Sequence, residues 1–356
     1  MCVAGGKRCE YSDIISNVRK KARSKLETAG AQYDIERDVN NAVSEFQEKN
    51  PELVMEHLPD SWGFEHDIET KEIPESIKEL LGEKKAPVAG CSEEEKAPFF
   101  QKLYDQNQSW KAKLTEQEYA TLSVYAMYSY EYMNAHLRRK GLAKWAKENP
   151  MMIESYEGGL EEFVEVKVKP RLEKMDAAMA KTTASGESKK RWFSKKEAEP
   201  AESEPQKLYR FFRVPPGVKP EVFVKKYFEP GSGFKDKGYL STSADPEYVA
   251  SHIMDNSKGK TNKNYIVLEM VSDRGGSLQP TPETNDSRIQ SFEAEVILPR
   301  GTTFQIVDTV KKKIVFGKDR KDIEKKYRNS DGSIHDFSAG NGISVPIVRM
   351  VDTKLL

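Results

Sequence analysis

The apolar pattern of this chain changes once, at about Gln206, and that change constrains its fold more than any other feature. Before it, apolar residues recur three and four apart, the period of helices; after it, short strand-like runs alternate with turn signals. The predicted strands are Leu208 to Val214, Gly238 to Ser243, Tyr265 to Val271, Glu295 to Leu298, Thr303 to Val310, Lys313 to Phe316 and Ile343 to Met350. One helix is expected among them, near Pro246 to Asp255. Helices first and strands after, with no regular βαβ alternation and no internal repeat, predict an α+β class. A helical N-terminal part should precede a mostly antiparallel sheet or sandwich.

The clearest helix is announced by its first turn. Thr115 and Glu118 form a Thr-x-x-Glu capping box, with Leu114 ahead as a candidate staple. Leu122, Tyr125, Ala126, Met133 and Leu137 then mark one face, and Arg138, Arg139 and Lys140 close the last turn before Gly141. Tyrosines 119, 125, 128, 130 and 132 are expected to form a core face with hydroxyls reaching outward. A second helix is predicted from about Leu160 to Lys181, with Pro170 as its kink or its true beginning.

Residues 1–95 are expected to be an accessory region of unknown role. Charged, helical segments run over Ser12 to Ala29 and Ile35 to Lys49, and a Pro-, Gly- and Glu-rich connector follows from Pro51 to Gly90. His57 and His66 are isolated there and carry no chemistry. Residues 96–356 form the second expected unit. A polar linker or insertion at about 182–206 interrupts it, with Trp192 and Phe193 as its large apolar residues and candidate anchors for a partner.

Charge removes several classes of function. The 356 residues carry 57 Lys and Arg against 57 Asp and Glu, a formal net charge of zero, so no global basic field argues for nucleic acid. The local runs Lys189 to Arg191 and Lys311 to Lys313 are flanked by acids and read as solvated surface. With 32% charged residues and a mean hydropathy of −0.72, no stretch approaches the ~18 apolar residues of a membrane span. Met1 to Glu10 lacks the apolar core of a secretory signal, so a cytoplasmic protein, or one delivered to a host cell without a classical signal, is expected. Cys2, Cys9 and Cys91 make no disulfide framework. No Cys-x-x-Cys or His pair stands near Cys2 and Cys9 to complete a metal site, and no metal is expected.

The residues most suggestive of chemistry are Glu293 and Glu295, just ahead of Val296-Ile297-Leu298. On a strand, period two would aim both carboxylates at one face, ~7 Å apart at about 3.3 Å per residue. Such a pair invites a cation, or a developing positive charge, between its members.

Three strings fall in order on the predicted strands: Leu208-Tyr209-Arg210, Gly238-Tyr239-Leu240-Ser241-Thr242-Ser243, and Ser291-Phe292-Glu293-Ala294-Glu295-Val296-Ile297-Leu298-Pro299-Arg300-Gly301-Thr302. Together they resemble the Arg, Ser-Thr-Ser, Glu-x-Glu pattern of the ADP-ribosyltransferase family, in its arginine-modifying, toxin-like branch. The helix from Leu114 to Arg139 resembles the Leu-Thr…Glu…Tyr…Asn…Leu-Arg helix that opens the family's catalytic domain. The resemblance covers about 110–356 and implies a β-sandwich core of ADP-ribosyltransferase type.

By its planar fork, Arg210 suits the pyrophosphate of NAD, with Arg213 as the fallback. The resemblance implies that Ser241 orients the catalytic glutamate while Thr242 and Ser243 support the nicotinamide pocket. It gives Glu295 to the ribose 2′-hydroxyl and to the oxocarbenium-like transition state. Glu293 becomes the group that orients and deprotonates an acceptor guanidinium, whose pKa above about 12 makes it a poor nucleophile while charged. Two positions depart from the pattern. Gln290 stands where an aromatic is usual, with Phe292 beside Glu293 instead, and Tyr248 is the nearest candidate for the nicotinamide-stacking aromatic.

The expected function is a mono-ADP-ribosyltransferase, a glycosyltransferase that uses NAD as substrate and modifies arginine on a target protein. An NAD glycohydrolase and a non-catalytic module that keeps the fold are the alternatives. The target and the oligomeric state are not legible.

Overall fold

A computed structural model describes residues 11–28, 35–56, 64–65, 68–82, 93–139, 141–183, 205–215, 217–257, 265–277, 294–314 and 343–356. Glu293, Gln290 and Phe292, the Trp192–Phe193 pair, the Lys189–Arg191 run, the three cysteines, His57 and His66 all lie outside the described residues. So does nearly all of the expected linker at 182–206. No helix among the described residues is long and apolar enough to cross a membrane.

The protein is α+β, with its helices largely ahead of a curled, mixed sheet. The strands are β1 (Phe64–Glu65), β2 (Gln206–Arg213), β3 (Gly233–Lys235), β4 (Leu240–Ser243), β5 (Tyr265–Ser272), β6 (Glu295–Leu298), β7 (Thr303–Ile314) and β8 (Ile343–Asp352). They hydrogen-bond in the order β1-β3-β7-β8-β5-β2-β4-β6. Every described pairing is antiparallel except β5 with β8, which is parallel.

The expected α+β class with mostly antiparallel pairing is met, but the sheet is mixed, and its eight strands hydrogen-bond in one continuous order. Phe234 and Phe304, near one edge, share a buried cluster with Leu240 and Leu298 at the other. Every residue of β5 is buried, because Ile266, Leu268 and Met270 enter that cluster while Tyr265 and Val267 pack into another on the opposite face.

The two runs expected at Thr303 to Val310 and from Lys313 are one strand, β7, with a bulge between Ile306 and Asp308. Among the elements that escaped the sequence are β1, β3 and a short helix α12 (Pro220–Tyr227), which opens on a proline and buries Phe223 and Val224. The helix expected after Ser243 is α13 (Pro246–Ser257).

Helices α1 (Tyr11–Thr28) and α2 (Ile35–Lys49) pack on each other, followed by α3 (Pro51–Glu56). The next part of the expected accessory region belongs to the sheet. β1 pairs with β3, and α4 (Glu75–Gly82) lays Ile77 and Leu81 against Val271 of β5 and Val351 of β8. Lys71 and Gln305 exchange two hydrogen bonds, at 2.8 and 2.9 Å.

The remaining helices cover the β4–β6 end of the sheet. α5 (Glu93–Lys111) leads to α6 (Glu116–Val124), a π-helical turn (Tyr125–Ser129) and α7 (Tyr130–Leu137). The Thr115–Glu118 capping box is present, and Glu118 also pairs with Lys181 at 2.6 Å. After α8 (Leu142–Glu148) and α9 (Pro150–Glu154), α10 (Gly159–Phe163) runs through a second π turn (Val164–Val168) into α11 (Lys169–Thr183). The Lys169 N–H reaches back to the Val164 carbonyl, so the wide turn lets the helix pass Pro170 instead of starting there.

The tyrosine face divides. Tyr125 and Tyr132 are fully buried, whereas Tyr119, Tyr128 and Tyr130 are exposed. The inserted π residue breaks the even 3.6 period on which the single face was predicted.

Candidate active site

Three strands at the β6 edge carry the three strings. Arg210 of β2 donates through Nη1 to the Ser241 carbonyl of β4 at 2.6 Å. Across β4, Ser243 stands opposite Glu295 of β6, and Ser241 stands opposite Ile297. Period two therefore places Ser241, Ser243, Glu295 and Ile297 on one face, with Ser241 and Glu295 as diagonal neighbours. Ile297 packs among the helices, so this is the face that looks toward the helical layer.

The helical layer answers with Tyr125. Its ring is fully buried, edge-on to Tyr239 with centroids 5.6 Å apart. The phenol donates to the Tyr239 carbonyl at 3.3 Å and accepts from Asn134 Nδ2 at 3.0 Å. The Ser241 side chain and the charges of Arg210 and Glu295 also act on its ionisation. Burial pushes Tyr125 up to about 12; Asn134, Arg210 and Ser241 pull it down, and Glu295 adds to the rise. The phenol stays protonated and keeps a hydrogen to donate.

Asn134 holds the backbone ahead of Ser241. Its Oδ1 accepts the Tyr239 N–H at 2.9 Å, while Nδ2 donates to the Tyr239 carbonyl at 3.3 Å. This clamp needs Gly238, since a Cβ there would stand 2.5 Å from Asn134 Oδ1. Asp236 accepts from the Gly238 N–H at 2.8 Å and from Arg138 Nε and Nη2 at 2.9 and 2.6 Å. Burial works against the Arg138 charge, but Asp236 outweighs it and raises its pKa. Arg210 moves the other way. Burial lowers it, Asp236 opposes and Arg138 adds to the fall, yet a guanidinium remains charged throughout.

The other predicted residues sort by direction. Thr242 faces away, its hydroxyl donating to the Val296 carbonyl at 2.6 Å. Ser243 shares the Ser241 face, but its Oγ accepts the Asp245 N–H at 2.9 Å and helps start α13. Arg213 is exposed at the end of β2, so Arg210 is the arginine brought to Ser241. Tyr248 is half-buried on α13.

The spacing argument for the two glutamates turns on Glu293, which lies outside the described residues. β6 begins at Glu295, and the buried Ala294 just before it has φ +43°, the left-handed region. Ala294 is pinned by the Ala244 N–H on its carbonyl at 2.9 Å. Strain of this kind collects at functional sites.

Sequence reasoning missed Tyr125, Asn134, Arg138 and Asp236 as site residues. The helical string that contains the first three was visible, but periodicity placed Tyr125 with the core and could not show that its hydroxyl meets the Tyr239 carbonyl.

No protein-family model matches this chain, and no curated protein matches it. The solved structures to which it is similar include ADP-ribosyltransferase toxins. Plx2a, an ADP-ribosyltransferase toxin from Paenibacillus larvae, is 18% identical with a TM-score of 0.41, over 74% of this chain and 98% of that one. Vis toxin, an ADP-ribosyltransferase from Vibrio splendidus, is 14% identical with a TM-score of 0.39, over 74% and 88%. C2-I, the enzymatic component of the C2 toxin from Clostridium botulinum, is 11% identical with a TM-score of 0.40, over 72% of this chain. The match spans 47% of the C2-I chain. Similarity at this level leaves activity and acceptor to be argued from the chain's own residues.

Proposed function

We propose that this chain is a mono-ADP-ribosyltransferase, moving ADP-ribose from NAD to an arginine of a target protein and releasing nicotinamide. The observation that carries the reading is the adjacency of Arg210, Ser241 and Glu295 on three neighbouring strands: Arg210 bonds the Ser241 carbonyl, and Ser241 and Glu295 share one face of the β4–β6 pair.

In this reading the Arg210 fork takes the pyrophosphate, with one of its N–H groups spent on the Ser241 carbonyl. Glu295 accepts from the ribose 2′-hydroxyl and faces the positive charge that develops at C1′ as the glycosidic bond breaks. The bonding pair leaves with nicotinamide. A guanidinium nitrogen of the acceptor then bonds to C1′, and Glu293 takes the proton it sheds. Ser241 orients Glu295, and Ser243 on the same face supports the nicotinamide pocket, while Thr242 ties β4 to β6 from the opposite face. Protein arginine as acceptor rests on the Glu-x-Glu string, since a glutamine at the first position goes with other acceptors in the resembling family.

Incubation with NAD and a cell extract tests both halves. Wild-type protein should release nicotinamide and label protein on arginine, with Glu295→Ala as the inactive control. Glu293→Gln should lose labelling and keep some NAD hydrolysis. Free ADP-ribose without labelled protein would sink the transferase claim. No release above the control would sink the enzyme.

A further inference from the structure

One carboxylate from the helical layer touches two of the three strings, just outside their strands. Asp176 sits on α11, in the helical layer. Its Oδ1 accepts from the Tyr239 hydroxyl at 2.6 Å and from Arg300 Nε at 2.8 Å, and its Oδ2 accepts from Arg300 Nη2 at 2.5 Å. Tyr239 leads directly into β4, two residues before Ser241. Arg300 stands two residues beyond β6, the strand that opens with Glu295.

As an ion pair alone, Asp176–Arg300 would deserve little weight, because its side chains are 37% and 44% exposed and such pairs contribute little. Tyr239 changes that. It is fully buried, its backbone is gripped at N–H and carbonyl by Asn134, and its carbonyl also accepts from Tyr125. Asp176 holds the far tip of the same side chain. Burial raises the Tyr239 pKa, and the bond and charge of Asp176 raise it further, so its proton stays in this contact.

We propose that Asp176 is a positioning residue: acting through the Tyr239 hydroxyl and Arg300, it sets how the Ser241 and Glu295 strands seat against the helical layer. This rests on the transferase reading, and its effect should appear in turnover more than in NAD binding. Asp176→Ala should lower kcat for nicotinamide release about tenfold while KM for NAD moves less than about twofold. Asp176→Asn, which keeps an oxygen for the Tyr239 hydroxyl, should restore most of that loss. Tyr239→Phe, which keeps the Arg300 arm, should lose part of what Asp176→Ala loses, and the double variant should be no worse than Asp176→Ala. Losses that multiply in the double variant, or full turnover in both single variants, would overturn the proposal.

If wild-type protein releases no nicotinamide, the transferase reading has failed, and amide hydrogen exchange across residues 238–243 decides the positioning role by itself. Asp176→Ala should then exchange about tenfold faster there than Arg349→Ala, which loses the remote ion pair to Asp308. Equal exchange in the two variants would overturn it.

Discussion

At the scale of single residues, the site depends on groups that are expensive to place. Tyr125 carries a hydroxyl into a fully buried position and satisfies it with Asn134 and Tyr239. Its pKa of about 12 in the folded chain exceeds the ordinary value near 10. The unfolded chain therefore ionises first. The stability from this group is complete below about pH 10 and is lost as pH rises through about 12, on the order of 2–3 kcal/mol. The tyrosinate absorbance of wild type minus Tyr125→Phe should titrate near pH 12, and a midpoint near 10 would refute the buried assignment. The Phe variant should also lose less stability over that alkaline range.

Among elements, the α6 to α7 helix does most to position the site. Its start is set by local chemistry: the Thr115 hydroxyl accepts the Glu118 N–H at 3.3 Å, and Glu118 accepts the Thr115 N–H at 2.7 Å. Burial opposes ionisation of Glu118, but the bond to Lys181, the Thr115 bonds and the Lys181 charge together lower its pKa. A carboxylate depressed in this way stabilises the fold above its unfolded pKa, and that contribution fades as pH falls through the folded value. Thr115→Ala should cost about 1 kcal/mol in denaturant unfolding at neutral pH. Glu118→Gln should narrow the loss of stability on acidification. An unchanged acid limb in that variant would show that the Lys181 pair adds nothing.

The same helix marks the limit of local reading. Its capping box, its apolar face and its basic last turn were all legible, because each depends on neighbours within one or two turns. The π turn was not. It buries Tyr125 against Tyr239 and leaves Tyr130 exposed, an outcome set by what the helix packs on.

For the whole molecule, the first hundred residues divide unequally. Ile77 and Leu81 cover Val271 and Val351, and each such burial is worth about 1.5–3 kcal/mol. β1 also closes the β3 edge of the sheet. Removing residues 1–60, and with them α1 to α3, should leave a cooperatively folding chain. Removing 1–90 should lower Tm sharply and expose dye-binding apolar surface. Equal stability of the two truncations would show that α4 and β1 are dispensable.

By itself, the sequence determined the α+β class, most strand positions, the capping box and the residues of the three strings. Those features follow from period, turn chemistry and side-chain type, all of which act over a few neighbours. Only the tertiary structure decided that the sheet is mixed, that Ala294 turns left-handed before Glu295, and that Tyr125 and Asn134 hold the Tyr239 backbone while Asp176 holds its hydroxyl. Those outcomes depend on residues tens to more than a hundred positions apart, where burial and hydrogen-bond satisfaction across the whole chain override what any short stretch prefers.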